Sequence, residues 1–370
     1  MRILYIYPTL AIWGGIERVL VDKMNELSSR YGWDIFILTY NQGNHPVPYR
    51  LNDKVRHVDL GVRTHVIYQY KGLRRLWEIC KRQCMLYRKM KTCVDEIIPD
   101  VIVTANTDIL YLLLKVSNNV PLVVESHVGM ENQFDVTKMS IGHRYAVYAR
   151  RHLLNKVDAI ISLTDAEANK WRAHYSHVHV IPNIVHLNET GEYSSCMEKR
   201  VIFVGRFAYQ KGLPDLLAVW QLVRQRHPDW QLDMYGEGED KQWLLNEITT
   251  QNTNIVVHQP VSNIHRCYIN SSIFVITSLY EPFGLVIPEA MSCGLPVVSF
   301  ESDGPNSIIT DGENGFIVKN RSVSDFADRV CQLIEDRELR TRMGQNAIKS
   351  SQRYSADNIM PIWKAFFESV

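Results

Sequence analysis

Short β-branched runs alternate with longer amphipathic stretches along the whole chain. The strand-like runs of the first half are Ile3–Tyr7, Asp34–Thr39, Val101–Thr104, Pro121–Glu125 and Ala159–Ser162. Those of the second half are Val201–Val204, Gln231–Tyr235, Asn254–His258, Ile273–Thr277 and Pro296–Phe300. The segments between them have helical length and period. This alternation predicts an α/β protein with parallel sheets and helices on both faces.

The pattern breaks near Ile181-Pro182-Asn183 and resumes after Lys199; Glu189–Ser195 between them is polar and turn-rich. About five strands fall on each side. Two doubly wound, Rossmann-like domains are therefore expected, residues 1–185 and 186–355, facing each other across a cleft. In residues 356–370, Ile359, Ile362, Trp363, Phe366 and Phe367 recur at helical spacing and predict a closing helix. Ligands of such sheets sit beyond the carboxyl ends of the strands, so the residues just after strands carry the chemistry.

Composition narrows this picture. The 370 residues are 46% hydrophobic and 22% charged, typical of a globular protein too long for one core. A net charge of +1 disfavours a general nucleic-acid binder. Yet residues 1–185 hold 24 Lys and Arg against 17 Asp and Glu (+7), whereas residues 186–370 hold 17 against 23 (−6). The basic half is suited to face an anion, a phosphate or a membrane surface. Seven cysteines without a Cys-x-x-Cys pair read as free thiols in a reducing, cytoplasmic setting. Pro8 and Gly14-Gly15 interrupt the first apolar run, which reads as a strand and not a leader. No apolar run reaches the roughly 18–20 residues of a membrane span.

Four segments place chemistry after a strand. The strongest runs from Ser278 to Gly294: Glu281, a loop with Pro282 and Gly284, then a helix holding Glu289. The amides of Phe283, Gly284 and Leu285 at its start suit an anion or sugar hydroxyls. In the second, a strand enters Gly205, and Arg206 and Lys211 follow five apart, a pair suited to a diphosphate. The third carries Gly14 and Gly15 between the first strand and helix, and the fourth puts His127 after a strand. No Asp-x-Asp occurs, which weighs against a metal clamp. Gly236-Glu-Gly238 lacks the third glycine of a dinucleotide fingerprint, which disfavours NAD. His174, His177 and His179 lack a framing carboxylate or cysteine and read as the approach to a strand, with no metal.

Residues 71–91 hold eight cations against Glu78 alone. Leu73, Leu76, Trp77, Cys80, Cys84 and Tyr87 form one helical face. A helix on an anionic membrane is expected, with Lys71, Arg74, Arg75, Arg82 and Arg88 toward the lipid.

Together these strings resemble glycosyltransferase family 4, the retaining nucleotide-sugar transferases of the GT-B fold, over nearly the whole chain. The match includes the glutamate pair Glu281 and Glu289, Arg206 with Lys211, Gly14-Gly15, His127, Ile181-Pro-Asn183 and Asp311–Phe316. The resemblance implies metal-free, cofactor-free sugar transfer with retention. Glu289 would hold the donor ribose, and Glu281 with the Phe283–Leu285 amides the transferred sugar. Arg206 and Lys211 would neutralise the leaving diphosphate, Gly14 and Gly15 would close its phosphate side, and His127 would lie near the sugar. The closing helix with Trp363 would cross back to the N-terminal domain, which would bind the acceptor through loops such as Thr39–Pro48 and Gly129–Ser140. His186 and Ser307 depart from the family pattern, which commonly has Asp and Glu there. Gly304-Pro305 resembles members that move galactose or N-acetylgalactosamine onto lipid-linked glycans. The implied partners are a UDP-sugar and a lipid-linked glycan of bacterial surface polysaccharide, met at the cytoplasmic membrane face. A soluble acceptor, or a scaffold of the same fold, stays open, as does the oligomeric state.

Overall fold

The computed structural model describes residues 1–134, 141–251 and 254–370. The chain forms two compact units, Met1–Ile184 with Ile359–Val370, and Val185–Asn358.

The first unit is built on β1 (Arg2–Tyr7), β2 (Asp34–Thr39), β3 (Arg56–Asp59), β4 (Val101–Thr104), β5 (Leu122–Glu125), β6 (Ala159–Ser162) and β7 (Val178–Val180). They form one sheet in the order β3-β2-β1-β4-β5-β6-β7. The second unit has β8 (Arg200–Val204), β9 (Gln231–Tyr235), β10 (Ile255–His258), β11 (Ile273–Ile276), β12 (Val297–Phe300) and β13 (Gly315–Val318), in the order β10-β9-β8-β11-β12-β13. All the strand pairs of both sheets are parallel. The inner strands β4, β5, β6, β11 and β12 are buried at every residue, because helices cover both faces.

The described residues thus hold seven and six strands, more than the five per side the apolar runs suggest. The additional strands β3, β7 and β13 all lie at sheet edges. An edge strand needs no continuous apolar run, and β3, Arg-His-Val-Asp, is alternately exposed and half-buried. The histidine cluster accordingly runs into β7, with His179 inside it.

In each sheet the strand order reverses once, between β1 and β4 and between β8 and β11. The loops leaving the carboxyl ends of those strands diverge there and leave a crevice. Gly14 and Gly15 follow β1; Arg206 and Lys211 follow β8; Glu281 follows β11.

The terminal helix, Ala356–Ser369, packs its aromatic face on the first unit. Trp363 stacks on Phe367 (ring centroids 5.3 Å apart), Phe367 meets Trp33 edge-on at 6.2 Å, and Phe366 meets His179 at 5.1 Å. Trp363 also covers the ammonium of Lys23, 4.0 Å from its ring centre.

The basic helix spans Gly72–Ile97 and buries Leu86, Met90 and Val94 in the core; Tyr87, expected on the same face as Leu73 and Trp77, instead packs half-buried against that core. The stripe Leu73, Leu76, Trp77, Cys80 and Cys84 faces solvent; Leu73 is 85% exposed and Trp77 59%. At 100° per residue, Arg74, Lys81 and Arg88 flank that stripe. Arg82 does not, contrary to expectation: Glu78, Val62 and Arg63 hold it on the inner side, its Nε 3.3 Å from Glu78 and its Nη1 donating to the Arg63 carbonyl at 3.1 Å. Arg75 lies on that side too, over Tyr68. Among the described residues no helix is long and apolar enough to cross a membrane. Residues 135–140 of the Gly129–Ser140 loop lie outside the described residues.

Trp363→Ala should lower stability by about 3–5 kcal/mol, the usual cost of emptying a buried aromatic site, here with loss of the cover on Lys23. Urea denaturation checks this; a loss below about 1 kcal/mol would show that the terminal helix is peripheral to the core.

Candidate active site

After β8 the chain makes one 3-10 turn, Tyr209–Lys211, and Gly212 ends it at φ +61°. A side chain at Gly212 would overlap the Thr277 carbonyl oxygen, so this turn lies directly on the loop after β11. Three hydrogen bonds lace the loops together. Thr277 Oγ1 donates to the Lys211 carbonyl at 3.0 Å, Leu279 N to the Gln210 carbonyl at 2.7 Å, and Gln210 Nε2 to the Tyr280 carbonyl at 3.0 Å. Arg321 completes the clamp, donating to the carbonyls of Thr277 and Ser278 at 2.9 Å each while pairing with Asp215.

The result is a defined ion pair. Lys211 Nζ lies 2.6 Å from Glu281 Oε2, with 16% and 11% of the two side chains exposed. Ser278 Oγ donates to the same oxygen at 3.1 Å. The loop after β12 holds the Glu281 backbone: its N–H donates to Ser302 Oγ, and its carbonyl accepts from Gly304 N, each at 2.8 Å. Gly304 passes so close that a Cβ would overlap the carbonyl oxygen of Phe283.

The other residues expected here divide. Gly284 sits at φ +89°, which favours glycine, and Leu285 leads into the helix Val286–Ser292. Phe283 is buried edge-on against Tyr354 at 5.3 Å, so its backbone amide and not its ring is the group for a ligand. Glu289 is 2% exposed within that helix. Arg206 does not join the Lys211–Glu281 pair: its side chain is 70% exposed and its Nε meets Glu239 at 3.2 Å. Gly236 and Gly238 serve close packing, since Cβ atoms there would overlap the carbonyl oxygens of Gly205 and Phe207.

The first unit has its own cluster. Glu17, in the first turn of the helix Gly15–Tyr31, folds its carboxylate back on Gly14, where a Cβ would overlap Oε2. Tyr7 donates its hydroxyl to Glu17 Oε1 at 3.2 Å. The anion beside Gly14 is therefore the chain's own carboxylate. Burial raises the Glu17 pKa, and the opposing pull of its backbone hydrogen bond, Tyr7 and His127 does not cancel it.

His127, just after β5, is 3.0 Å through Nε2 from Glu125 Oε2, and the other Glu125 oxygen pairs with Lys23. Burial pushes Glu125 up, but the Lys23 charge and the His127 hydrogen bond outweigh it and hold the carboxyl below its usual range. Burial likewise dominates at Lys23 and lowers its pKa, against the pull of Glu125. Sequence reasoning passed over Glu17, Lys23 and Glu125. Their signal is a charge on an apolar face: Lys23 shares its helix face with Val19, Leu20 and Leu27, and Glu125 ends a wholly buried strand. Among the described residues no group of three or more His, Cys, Asp or Glu side chains is placed to hold a metal.

A carboxylate whose folded pKa is raised penalises the folded state above that pKa; the penalty shrinks as pH falls through the folded pKa and is gone below the unfolded value of about 4.3. Glu17→Gln should therefore be more stable than the parent at pH 7, with the gain vanishing toward pH 4. Thermal unfolding across that range checks the sign; a less stable variant at pH 7 would show that the carboxylate's hydrogen bonds dominate.

Comparison with known proteins agrees with this architecture. The family model for Glycosyl transferases group 1 matches residues 193–350, and that for Glycosyltransferase Family 4 matches residues 13–189. The chain is 26% identical over 360 residues to an uncharacterized glycosyltransferase of Haemophilus influenzae, covering 95% of each. It is 24% identical over 373 residues to an amylovoran biosynthesis glycosyltransferase of Erwinia amylovora, covering 98% of each. A crystal structure of an S. aureus TarM variant in complex with fondaparinux, alpha-GlcNAc-glycerol and UDP shares the fold at TM-score 0.80 and 15% identity, over 99% of this chain and 100% of that one. The two family matches cover every strand of the two sheets but β1, and the chain belongs to the group 1 glycosyltransferases, family 4-like, with two Rossmann-like units of the GT-B type.

Proposed function

We propose that this chain moves a sugar from a UDP-sugar to a lipid-linked glycan of a bacterial surface polysaccharide, with retention of configuration and without a metal ion. The observation that carries the reading is the clamped Lys211–Glu281 pair at the carboxyl ends of β8 and β11. A diphosphate bears more negative charge than one carboxylate, so it competes with Glu281 for Lys211 and frees Glu281 for the sugar hydroxyls. Arg206 is held by an exposed pair with Glu239, worth at most about 1 kcal/mol, and can turn to the diphosphate at little cost. Glu289 accepts hydrogen bonds from the ribose hydroxyls, and the Phe283–Leu285 amides face the sugar.

During transfer the bond from the anomeric carbon to the phosphate oxygen breaks. The acceptor oxygen bonds to that carbon from the same face, and its proton goes to the departing phosphate. Charge grows on the diphosphate, and Lys211 and Arg206 stabilise it where it appears. His127 contacts the transferred sugar, and Gly14 and Gly15 meet a donor phosphate to which Glu17 yields its place.

UDP in the complexed TarM structure and the amylovoran role of a relative support the donor and acceptor class. The exposed stripe Leu73, Leu76 and Trp77, flanked by Arg74, Lys81 and Arg88, supports peripheral contact with anionic lipid at the cytoplasmic face.

UDP at 100 times its dissociation constant should stabilise the chain by about 2.7 kcal/mol, visible as a thermal shift that GDP, ADP and NAD do not match. A shift with GDP or ADP alone would change the donor, and no shift with any nucleotide would favour a scaffold. Lys211→Ala should cut transfer far more than tenfold, since a partner of the leaving group is typically worth several kcal/mol; near-normal turnover would remove Lys211 from the mechanism. Combined Arg74→Glu, Lys81→Glu and Arg88→Glu should release the protein from phosphatidylglycerol vesicles in a flotation assay, each cation contributing about 1 kcal/mol. Retained binding would return the helix to an ordinary surface role.

A further inference from the structure

The first unit buries three titratable side chains in a row. Lys23 comes from the first helix, Glu125 from the end of β5 and His127 from the loop after it, with 1%, 1% and 4% of their side chains exposed. Lys23 meets one oxygen of Glu125, and His127 Nε2 lies 3.0 Å from the other. The Lys23 ammonium is otherwise walled by rings, Trp363 at 4.0 Å and Tyr5 at 5.5 Å from the centroids.

A buried ion pair stabilises a fold little better than apolar residues of the same volume. Packing alone gives β5 no reason to end on a charge. The arrangement does have one distinctive consequence. An ionised Glu125 can only accept, so Nε2 of His127 must carry a proton toward it. Nδ1 is then the nitrogen left for a ligand, and the ring plane is held by a carboxylate that is itself held by Lys23.

The geometry points to Glu125 and Lys23 as positioning residues that fix the tautomer and ring plane of His127 and so present Nδ1 to the transferred sugar. This rests on the reading that His127 contacts that sugar. Glu125 acts directly on the imidazole. Lys23 keeps Glu125 ionised in a buried place, and Trp363 of the terminal helix closes the far side of Lys23. The tail of the chain thereby forms part of the support of a site residue more than two hundred positions earlier.

Protein labelled with 15N-histidine tests the tautomer without any substrate. The His127 signals are those that His127→Ala removes. In the parent they should report a proton on Nε2. In Glu125→Gln they should shift toward a mixture of tautomers, because an amide can present either its oxygen or its nitrogen to the ring. Lys23→Met/Glu125→Gln leaves no lone buried charge and should show the same shift, which separates the effect from misfolding. A parent protonated on Nδ1 alone, or an unchanged pattern in both variants, would overturn the inference.

Turnover, read as UDP release from the UDP-sugar that supports the fastest release, separates this failure from that of the His127 reading. His127→Ala and Glu125→Gln should each lower kcat at least tenfold with donor KM changed less than threefold. The combined Glu125→Gln/His127→Ala variant should be no slower than His127→Ala by more than twofold. Losses that multiply would mean that Glu125 acts independently of His127 and would overturn the inference alone. An unchanged kcat in His127→Ala would remove His127 from the site and the inference with it.

Discussion

A parallel sheet delivers all its strand ends to one edge, and successive loops part company only where the strand order reverses. In the second unit that place is β8 beside β11, and the loops leaving them must be tied across the gap. The ties are hydrogen bonds between Gln210 and Lys211 on one side and Thr277, Leu279 and Tyr280 on the other, and between the Glu281 backbone and Ser302 and Gly304. Gly212 and Gly304 stand where a Cβ would strike a neighbouring carbonyl oxygen. The close lacing positions Lys211 against Glu281, and the pair's geometry follows from the sheet's topology and not from the pair itself.

Three of the candidate anion or cation positions are occupied by a partner from the chain. Glu281 holds Lys211, Glu239 holds Arg206, and Glu17 covers Gly14. Carboxylates in two of these places give the cations a partner without ligand. They differ in strength. The Arg206 pair is largely exposed and yields easily, the Lys211 pair is mostly buried, and the Lys23–Glu125 pair is fully buried and has no exit. A dianionic ligand would displace the first two by charge, whereas the third is permanent structure.

The inner strands were legible because strands covered on both faces read as unbroken apolar runs, as in Ile273–Ile276 of β11 and in Leu122, Val123 and Val124 of β5. The edge strands β3, β7 and β13 were not, since a half-exposed strand such as Arg56–Asp59 carries no such run. Lys211 and Glu281 stood out because both follow strands. Their direct pairing could not be read, being set by contacts seventy residues apart. The basic helix shows the opposite limit. Its periodicity marks the exposed stripe of Leu73, Leu76, Trp77, Cys80 and Cys84, yet Tyr87 packs against the core, Arg82 turns inward to Glu78 and Val62, and Lys81 lies beside Trp77. Spacing defines a face but not which face the rest of the fold covers.

On the proposed function, a nucleotide diphosphate binds in the Lys211–Glu281 crevice with Glu289 on the ribose. Calorimetric titration of UDP into the parent, Lys211→Ala and Glu289→Ala measures this directly. Saturable binding to the parent and at least a tenfold loss of affinity in each variant are expected. Equal affinity in all three would place the nucleotide elsewhere and contradict it.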